Sequence, residues 1–232
     1  MKFNYRMLLV AIILVIFVSA WWYGVQLIQD TQTTPSGLGY YYSDTMHAED
    51  YKVREFQFYN QDSIMITRSN FENKIWVTDF FFSTCEGICP IMNTNLGLVQ
   101  NRYKDDTNVL ILSHTVDPKT DDVPRLKAYS QRMGGIPNKW HFVTGREEDI
   151  YELARKSYFV ATPKDSTLNE DFVHSQLICL IDPHLHIRGY YDGTNGKDVK
   201  KLIEDIQKLK VEYNKDGRQK TVDLFPYFRG KE

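Results

Sequence analysis

The chain is sparing with cysteine, with net charge and with runs of like charge, and each shortage removes a class of function. Three cysteines in 232 residues are too few for the disulfide framework of a small secreted scaffold, so stability has to come from an apolar core. At 42% hydrophobic residues such a core can be built, and the length suits one full domain with an appendage, since domains commonly run to about 100–200 residues. A formal net charge of −2 with no block of either sign leaves no electrostatic footprint for nucleic acid. No segment repeats.

One long uncharged run stands at the start. Lys2 and Arg6 precede an uncharged stretch from Met7 to Ile28, which holds the aromatic cluster Trp21, Trp22 and Tyr23, the pattern of a single membrane-spanning helix with an interfacial belt. Basic residues before the run and Asp30 after it place the N-terminus in the cytoplasm and the rest outside. A cleaved signal peptide is the rival reading, with Val18-Ser19-Ala20 as its small-residue site; the apolar run continuing through Trp21-Trp22 favours an uncleaved anchor. Either way the domain is exported. Two basic residues are too few for an Arg-rich transit peptide, so the expected location is the bacterial cytoplasmic membrane, single-pass, with the C-terminal domain in the periplasm or outside the cell. The division expected is an anchor or signal peptide over 1–28, a spacer over 29–50, a domain over 51–215 and a tail over 216–232, the spacer marked by the turn chemistry of Thr33-Thr34-Pro35-Ser36-Gly37.

Within the domain, Phe56-Gln57-Phe58 and Ile64-Met65-Ile66 alternate around Asn60-Gln61-Asp62-Ser63 and predict an edge hairpin. The run Ile75 to Phe82 is short, aromatic and apolar, as a strand buried on both faces would be. A helix follows Pro90, with Met92, Leu96 and Val99 at helical spacing; Asn108 to His114 reads as a second strand and Val123 to Tyr129 as a second helix. Trp140 to Val143 is a third strand and Ile150, Leu153 and Ala154 mark a third helix, before a polar loop over about 161–171. The hairpin Leu177–Ile181 with His186–Tyr191 and a helix from Lys197 to Lys210 close the domain. Strands alternating with helices in this order predict an α/β, three-layer fold with a central sheet and helices on both faces.

The chemistry-bearing stretch is Thr84-Cys85-Glu86-Gly87-Ile88-Cys89-Pro90-Ile91-Met92. A strand emptying into a helix start puts Cys85 in the connecting turn and Cys89 near the first helical turn, where free N–H groups and the helix dipole stabilise thiolates. Four-residue spacing lets the two sulfurs form a disulfide or hold one metal, and two thiolates suit Cu(I), Cu(II) or Zn(II) once a further ligand is added. Cys179, in a core strand, reads as a small buried hydrophobe. Six histidines compete for the ligand role: His47 is in the spacer, His141 starts a strand, His184 and His186 flank a turn and face water, and His114 and His174 remain, which spacing does not separate. Asp117, in Asp117-Pro118, is a weak candidate for supporting the site or meeting a partner, with turn chemistry as the plainer reading. Met92 is read as packing and Glu86 as facing solvent.

Phe80-Phe81-Phe82-Ser83-Thr84-Cys85-Glu86-Gly87-Ile88-Cys89-Pro90, then Thr115-Val116-Asp117-Pro118, then Val173-His174-Ser175 with Leu180-Ile181-Asp182-Pro183, resembles the Sco/SenC family in order and approximate spacing over about residues 55 to 210. The resemblance implies a thioredoxin-like fold and one copper ion, Cu(I) or Cu(II), held by Cys85, Cys89 and His174. It also implies a part in maturing the binuclear copper site of cytochrome c oxidase, with the oxidase's copper-containing subunit or another copper acceptor as partner. Where the family usually has an acidic residue before that histidine, this chain has Val173, which touches the orientation of His174 rather than the ligand count. The expected function is a membrane-tethered metallochaperone. The rival is an envelope thiol–disulfide oxidoreductase using Cys85 and Cys89 as its redox pair, although the C-x-x-C spacing usual for that activity is absent; a redox-sensing module on the same pair is a third reading.

Overall fold

The structure, a computed structural model, describes residues 51–160 and 175–213 and the helical positions 14, 15, 17–19 and 21. The expected spacer, the polar loop over 161–171, His174 and the C-terminal tail lie outside the described residues, as does almost all of the expected membrane span. Among the described residues no helix is long and apolar enough to cross a membrane.

Seven strands form one mixed sheet in the order β2-β1-β5-β4-β3-β6-β7. The edge hairpin is β1 (Gln57–Asn60) with β2 (Met65–Thr67), closed by Asn60, whose Oδ1 accepts from the N–H of Asp62 and Ile64 at 2.9 Å each. The central strands β3 (Ile75–Phe81), β4 (Val109–Thr115) and β5 (Trp140–Thr144) run parallel, and β6 (Leu177–Ile181) and β7 (Ile187–Asp192) return antiparallel on the far side. Both central strands β3 and β4 are buried along their whole length, which explains why they read as continuous apolar runs rather than alternating ones.

Helices α1 (Ile88–Arg102), α2 (Val123–Met133) and α4 (Gly196–Tyr213) cover one face, where Met92, Leu96, Leu126, Leu202 and Ile206 pack on Val77, Phe81, Ile111 and Phe142. Helix α3 (Glu147–Lys156) and the entering segment from Tyr51 to Phe58 cover the other, against Trp76, Phe80, Leu112 and Val143. The crossovers β3–α1–β4 and β4–α2–β5 therefore lie on one side and the α3 crossover on the other, the three-layer arrangement expected. Local signals set the helix ends: Asp122 caps α2 by accepting from Arg125 N–H at 2.9 Å, and Gly134, at φ 70°, ends it in the left-handed region that a glycine adopts without steric cost. Helix α4 runs three residues beyond its expected end at Lys210, because Glu212 and Tyr213 are drawn in by the buried Arg188 and Asp182. The same cluster corrects the expectation for His186, which is buried beside Asp182 rather than facing water; His184 is exposed as expected.

Candidate metal and thiol centre

The site forms where β3 ends and α1 begins. Cys85 N–H bonds back to Phe82 O at 3.2 Å, making a tight turn, and Gly87 at the helix N-cap offers no side chain to the first free N–H groups. The Cys85 sulfur takes that place. Burial by itself raises the Cys85 thiol, but hydrogen bonds from the Cys89 side chain and from the backbone N–H groups of Cys89, Gly87 and Ile88 outweigh it and hold the thiol below its ordinary value. Cys89, in the first turn of the helix, is driven the other way. Burial pushes it up to about 12, helped by its hydrogen bond to Cys85 and by the negative charge of Cys85 and Asp79. Both cysteines are free thiols, Cys85 half-buried and Cys89 buried. One sulfur is thus the more acidic and the other its proton-bearing neighbour. Pro90 follows at the third helical position, where a missing N–H costs nothing.

The turn is held from β4. Asp121 lies in the loop after that strand, fully buried, and its carboxylate accepts from Ser83 N–H at 2.9 Å, from Thr115 Oγ1 at 2.5 Å and from Ser83 Oγ. Arg125 Nε donates to Ser83 Oγ at 2.7 Å, and Val116 N–H bonds to Phe81 O at 2.8 Å, tying the two strand ends together. Asp117 serves its own turn instead: its Oδ1 accepts from Thr120 N–H at 3.3 Å and its backbone carbonyl accepts from Asp121 N–H at 2.8 Å. Its backbone N–H also donates to Thr115 Oγ1 at 3.1 Å, the hydroxyl that bonds to Asp121.

Beneath Cys89 lies a second acid. Asp79 falls between Val77 and Phe81 on β3, so strand alternation sends its side chain to the face covered by α1. It is fully buried; Ser113 Oγ donates to Oδ1 at 2.5 Å and is itself held by Trp140 Nε1 at 2.9 Å, while Oδ2 has no hydrogen-bond partner among the described residues. Burial pushes Asp79 up to about 7, with the Ser113 bond and its own backbone N–H pulling the other way.

Of the residues singled out by sequence, the structure brings Cys85 and Cys89 together. His114 is not with them. It points to the opposite face of the sheet, stacked on Phe80 with ring centroids 5.0 Å apart and edge-on to Phe56 and Phe58, and burial pushes it down to about 3. His141 lies on that same far side, against Phe71 and within 3.3 Å of Asn60. Cys179 is fully buried in the far-face core, and Met92 is packed in the near-face core, as both were read. Glu86 is exposed. Among the described residues no group of three His, Cys, Asp or Glu side chains is placed to hold a metal, and His174 lies outside them, immediately before Ser175. Sequence reasoning missed Asp79 and Asp121. Asp79 carries a signal, being the one charge inside an apolar run; Asp121, in Lys119-Thr120-Asp121-Asp122, carries none.

Comparison with known proteins gives a consistent picture. The sequence matches the SCO1/SenC family over residues 44–210, well over half of the chain. A SCO1/SenC family lipoprotein from Bacillus anthracis str. Ames is 28% identical, covering 69% of this chain and 96% of that one, and superposes with a TM-score of 0.62. BsSco, described as a Sco family cytochrome c oxidase assembly protein with a disulfide switch, is 28% identical over 68% of this chain and 93% of its own, with a TM-score of 0.59. ScoI of Arabidopsis thaliana, solved with copper bound, is 25% identical over 68% of this chain and 98% of its own, with a TM-score of 0.55. These likenesses make the fold thioredoxin-like.

Proposed function

The chain belongs to the SCO1/SenC family, and on that premise we propose that it is a membrane-tethered copper chaperone. In this reading it takes one ion, Cu(I) or Cu(II), on Cys85, Cys89 and His174 and passes it to the copper-containing subunit of cytochrome c oxidase by ligand exchange. The observation that carries it is the pair of free thiols at the open N-terminus of α1, where the helix-end N–H groups help to hold the Cys85 thiol below its ordinary value. Two thiolates are soft donors for Cu(I), and an imidazole added to them also stabilises Cu(II). The copper-bound Arabidopsis relative and the oxidase-assembly role of BsSco support the same cargo and destination. His174 comes immediately before Ser175 in the sequence, and β6, which starts at Leu177, pairs antiparallel with β3, the strand that leads into the cysteines.

The division into a 1–28 anchor, a 29–50 spacer, a 51–215 domain and a 216–232 tail belongs to the same proposal. In it the domain stands outside the bacterial cytoplasmic membrane. The described N-terminal positions Leu14, Val15, Phe17, Val18 and Trp21 are helical and well exposed, which suits a segment whose surroundings are lipid. The family lipoprotein from Bacillus anthracis supports membrane attachment. Copper titration tests the site. Wild type should bind one equivalent with thiolate-to-copper charge-transfer absorption, Cys85→Ser or Cys89→Ser should abolish it, and His174→Ala should weaken it strongly. Binding should fade as pH falls, because every ligand must be deprotonated. Tight stoichiometric binding by His174→Ala would sink the three-ligand site.

A second reading is supported by the opposite tuning of the two thiols. A thiol–disulfide oxidoreductase needs an attacking thiolate, here Cys85, and a protonated neighbour, here Cys89, that afterwards resolves the mixed disulfide. Turnover of a disulfide substrate that survives His174→Ala would favour it over copper transfer.

A further inference from the structure

A cationic cleft opens on the surface beside the thiol turn, and it shares Ser83 and Arg125 with the contacts that hold that turn. Its volume is about 340 Å³, and it is lined by Ser83, Arg125, Ala128, Tyr129 and Arg132. Ser83 is two residues before Cys85, while Arg125, Ala128 and Arg132 form one exposed stripe of α2 at helical spacing. The small Ala128 leaves the gap between the two arginines open. Both guanidinium groups lean toward the turn: Arg125 Nε donates to Ser83 Oγ at 2.7 Å and Arg132 donates to Ser83 O at 3.5 Å. Arg125 is partly neutralised by Asp121 at 3.6 Å, and the neighbouring Asp122 is engaged in capping α2. Arg132 lies over the Tyr129 ring at 4.8 Å, and among the described residues no carboxylate pairs with it. On the other side of the cysteines the first turn of α1 leaves Pro90 and Ile91 exposed, Ile91 by 51%.

We propose that this cleft receives a carboxylate of a protein partner, an acidic segment whose own sulfur or metal ligand is then held over Cys85. The proposal rests on the exchange reading above and names the chemistry of the partner. Any protein that presents a ligand to Cys85 has to cover the Ser83 turn, and there it meets one uncompensated and one partly compensated guanidinium with an apolar patch beyond. A guanidinium held over an aromatic ring and aimed at an open gap is suited to a carboxylate. In a chain of net charge −2, such a local positive spot selects among partners rather than attracting anions in general.

The test uses the full reduced chain and a short cysteine peptide activated as a mixed disulfide with thiopyridine, with the cysteine flanked by Asp, by Asn or by Lys. The Cys85 thiolate attacks the peptide sulfur, a Cys85–peptide disulfide forms, and thiopyridine leaves as the thiolate, which takes a proton from solvent and absorbs as thiopyridone. At low salt the Asp peptide should react about tenfold faster than the Lys peptide, and the ratio should fall toward one as salt screens the charges. Arg132→Ala should cut the ratio several-fold, Arg132→Glu should invert it, and Arg132→Lys should keep most of it. Lys127→Ala, on another face of the same helix and paired with Asp62, should change nothing. A wild type that reacts equally with Asp and Lys peptides, or prefers Lys because exposed Glu86 dominates, overturns the proposal, as does an Arg132→Glu ratio equal to that of wild type. Copper stoichiometry measured alongside keeps the two readings apart: a chain that binds no copper yet prefers the Asp peptide loses the chaperone reading and keeps the cleft.

Discussion

Asp79 and Asp182 are both fully buried carboxylates, one on β3 near its thiol end and one just past β6 at the opposite end of the sheet, and the fold treats them in opposite ways. Asp182 is surrounded by partners: the His186 ring Nδ1 at 3.3 Å, Arg188 Nη1 at 3.0 Å, the Tyr213 hydroxyl at 2.6 Å, and the backbone N–H groups of His184 and His186 at 2.9 and 3.0 Å. Burial alone would raise it, yet these bonds, with His186 first among them, bring it down to about 2. Asp79 has Ser113 and its own backbone N–H against the same burial, keeps one oxygen without a partner among the described residues, and ends at about 7. The difference teaches where the molecule invests in stability and where it accepts electrostatic cost. The satisfied cluster clasps the end of α4 through Glu212 and Tyr213, far from the cysteines. The unsatisfied acid sits under Cys89, where a perturbed group is most useful to thiol or metal chemistry.

The sharpest way to break this contrast is Asp182→Ala. It leaves the buried Arg188 with Glu212 as its remaining carboxylate and should cost about 3–5 kcal/mol in denaturant unfolding at neutral pH. Because the folded-state value is depressed, the contribution is present above the unfolded-state value near 4 and is lost as pH falls toward 2; a loss as large at pH 2 as at pH 7 would contradict the assignment.

Asp79→Asn should do the reverse and stabilise the fold. The folded-state value is raised, so wild type bears no penalty below about pH 4, acquires it between about 4 and 7, and bears it in full above 7. The variant should therefore gain on the order of 2–4 kcal/mol at pH 8 and little at pH 4, since one pKa unit corresponds to about 1.4 kcal/mol. An equal gain at both pH values would point to packing rather than charge.

The smallest expected effect separates the thiols themselves. At neutral pH iodoacetamide should modify Cys85 at least about tenfold faster than Cys89 or the wholly buried Cys179, as read by peptide mass mapping. Equal labelling of Cys85 and Cys89 would remove the asymmetry on which the redox reading depends.

The order of strands and helices was legible because each element buries its own periodic face: Met92, Leu96 and Val99 of α1, and Val199, Leu202, Ile206 and Leu209 of α4, are all buried where helical spacing put them. The cysteine pair was legible for the same reason, since its geometry is made within five consecutive residues. What escaped was whatever depends on the partner strand. His114 looked like a ligand candidate near a strand end, but pairing with Phe80 in the β3–β4 register puts it on the aromatic far face. Asp121 looked like one loop acid among several, and only the approach of Ser83 from 38 residues away makes it the anchor of the thiol turn.

The sequence by itself settled that a buried strand runs into a helix start with two thiols at the junction, because hydrophobic period, proline position and helix-end chemistry act over a few residues. Tertiary structure alone decided that the Cys89 thiol is desolvated, which acid lies beneath it and which arginines flank the thiol turn. Those properties come from burial and from donors carried by β4, β5 and α2, and neither desolvation nor a long-range hydrogen bond leaves a mark on the local pattern of residues.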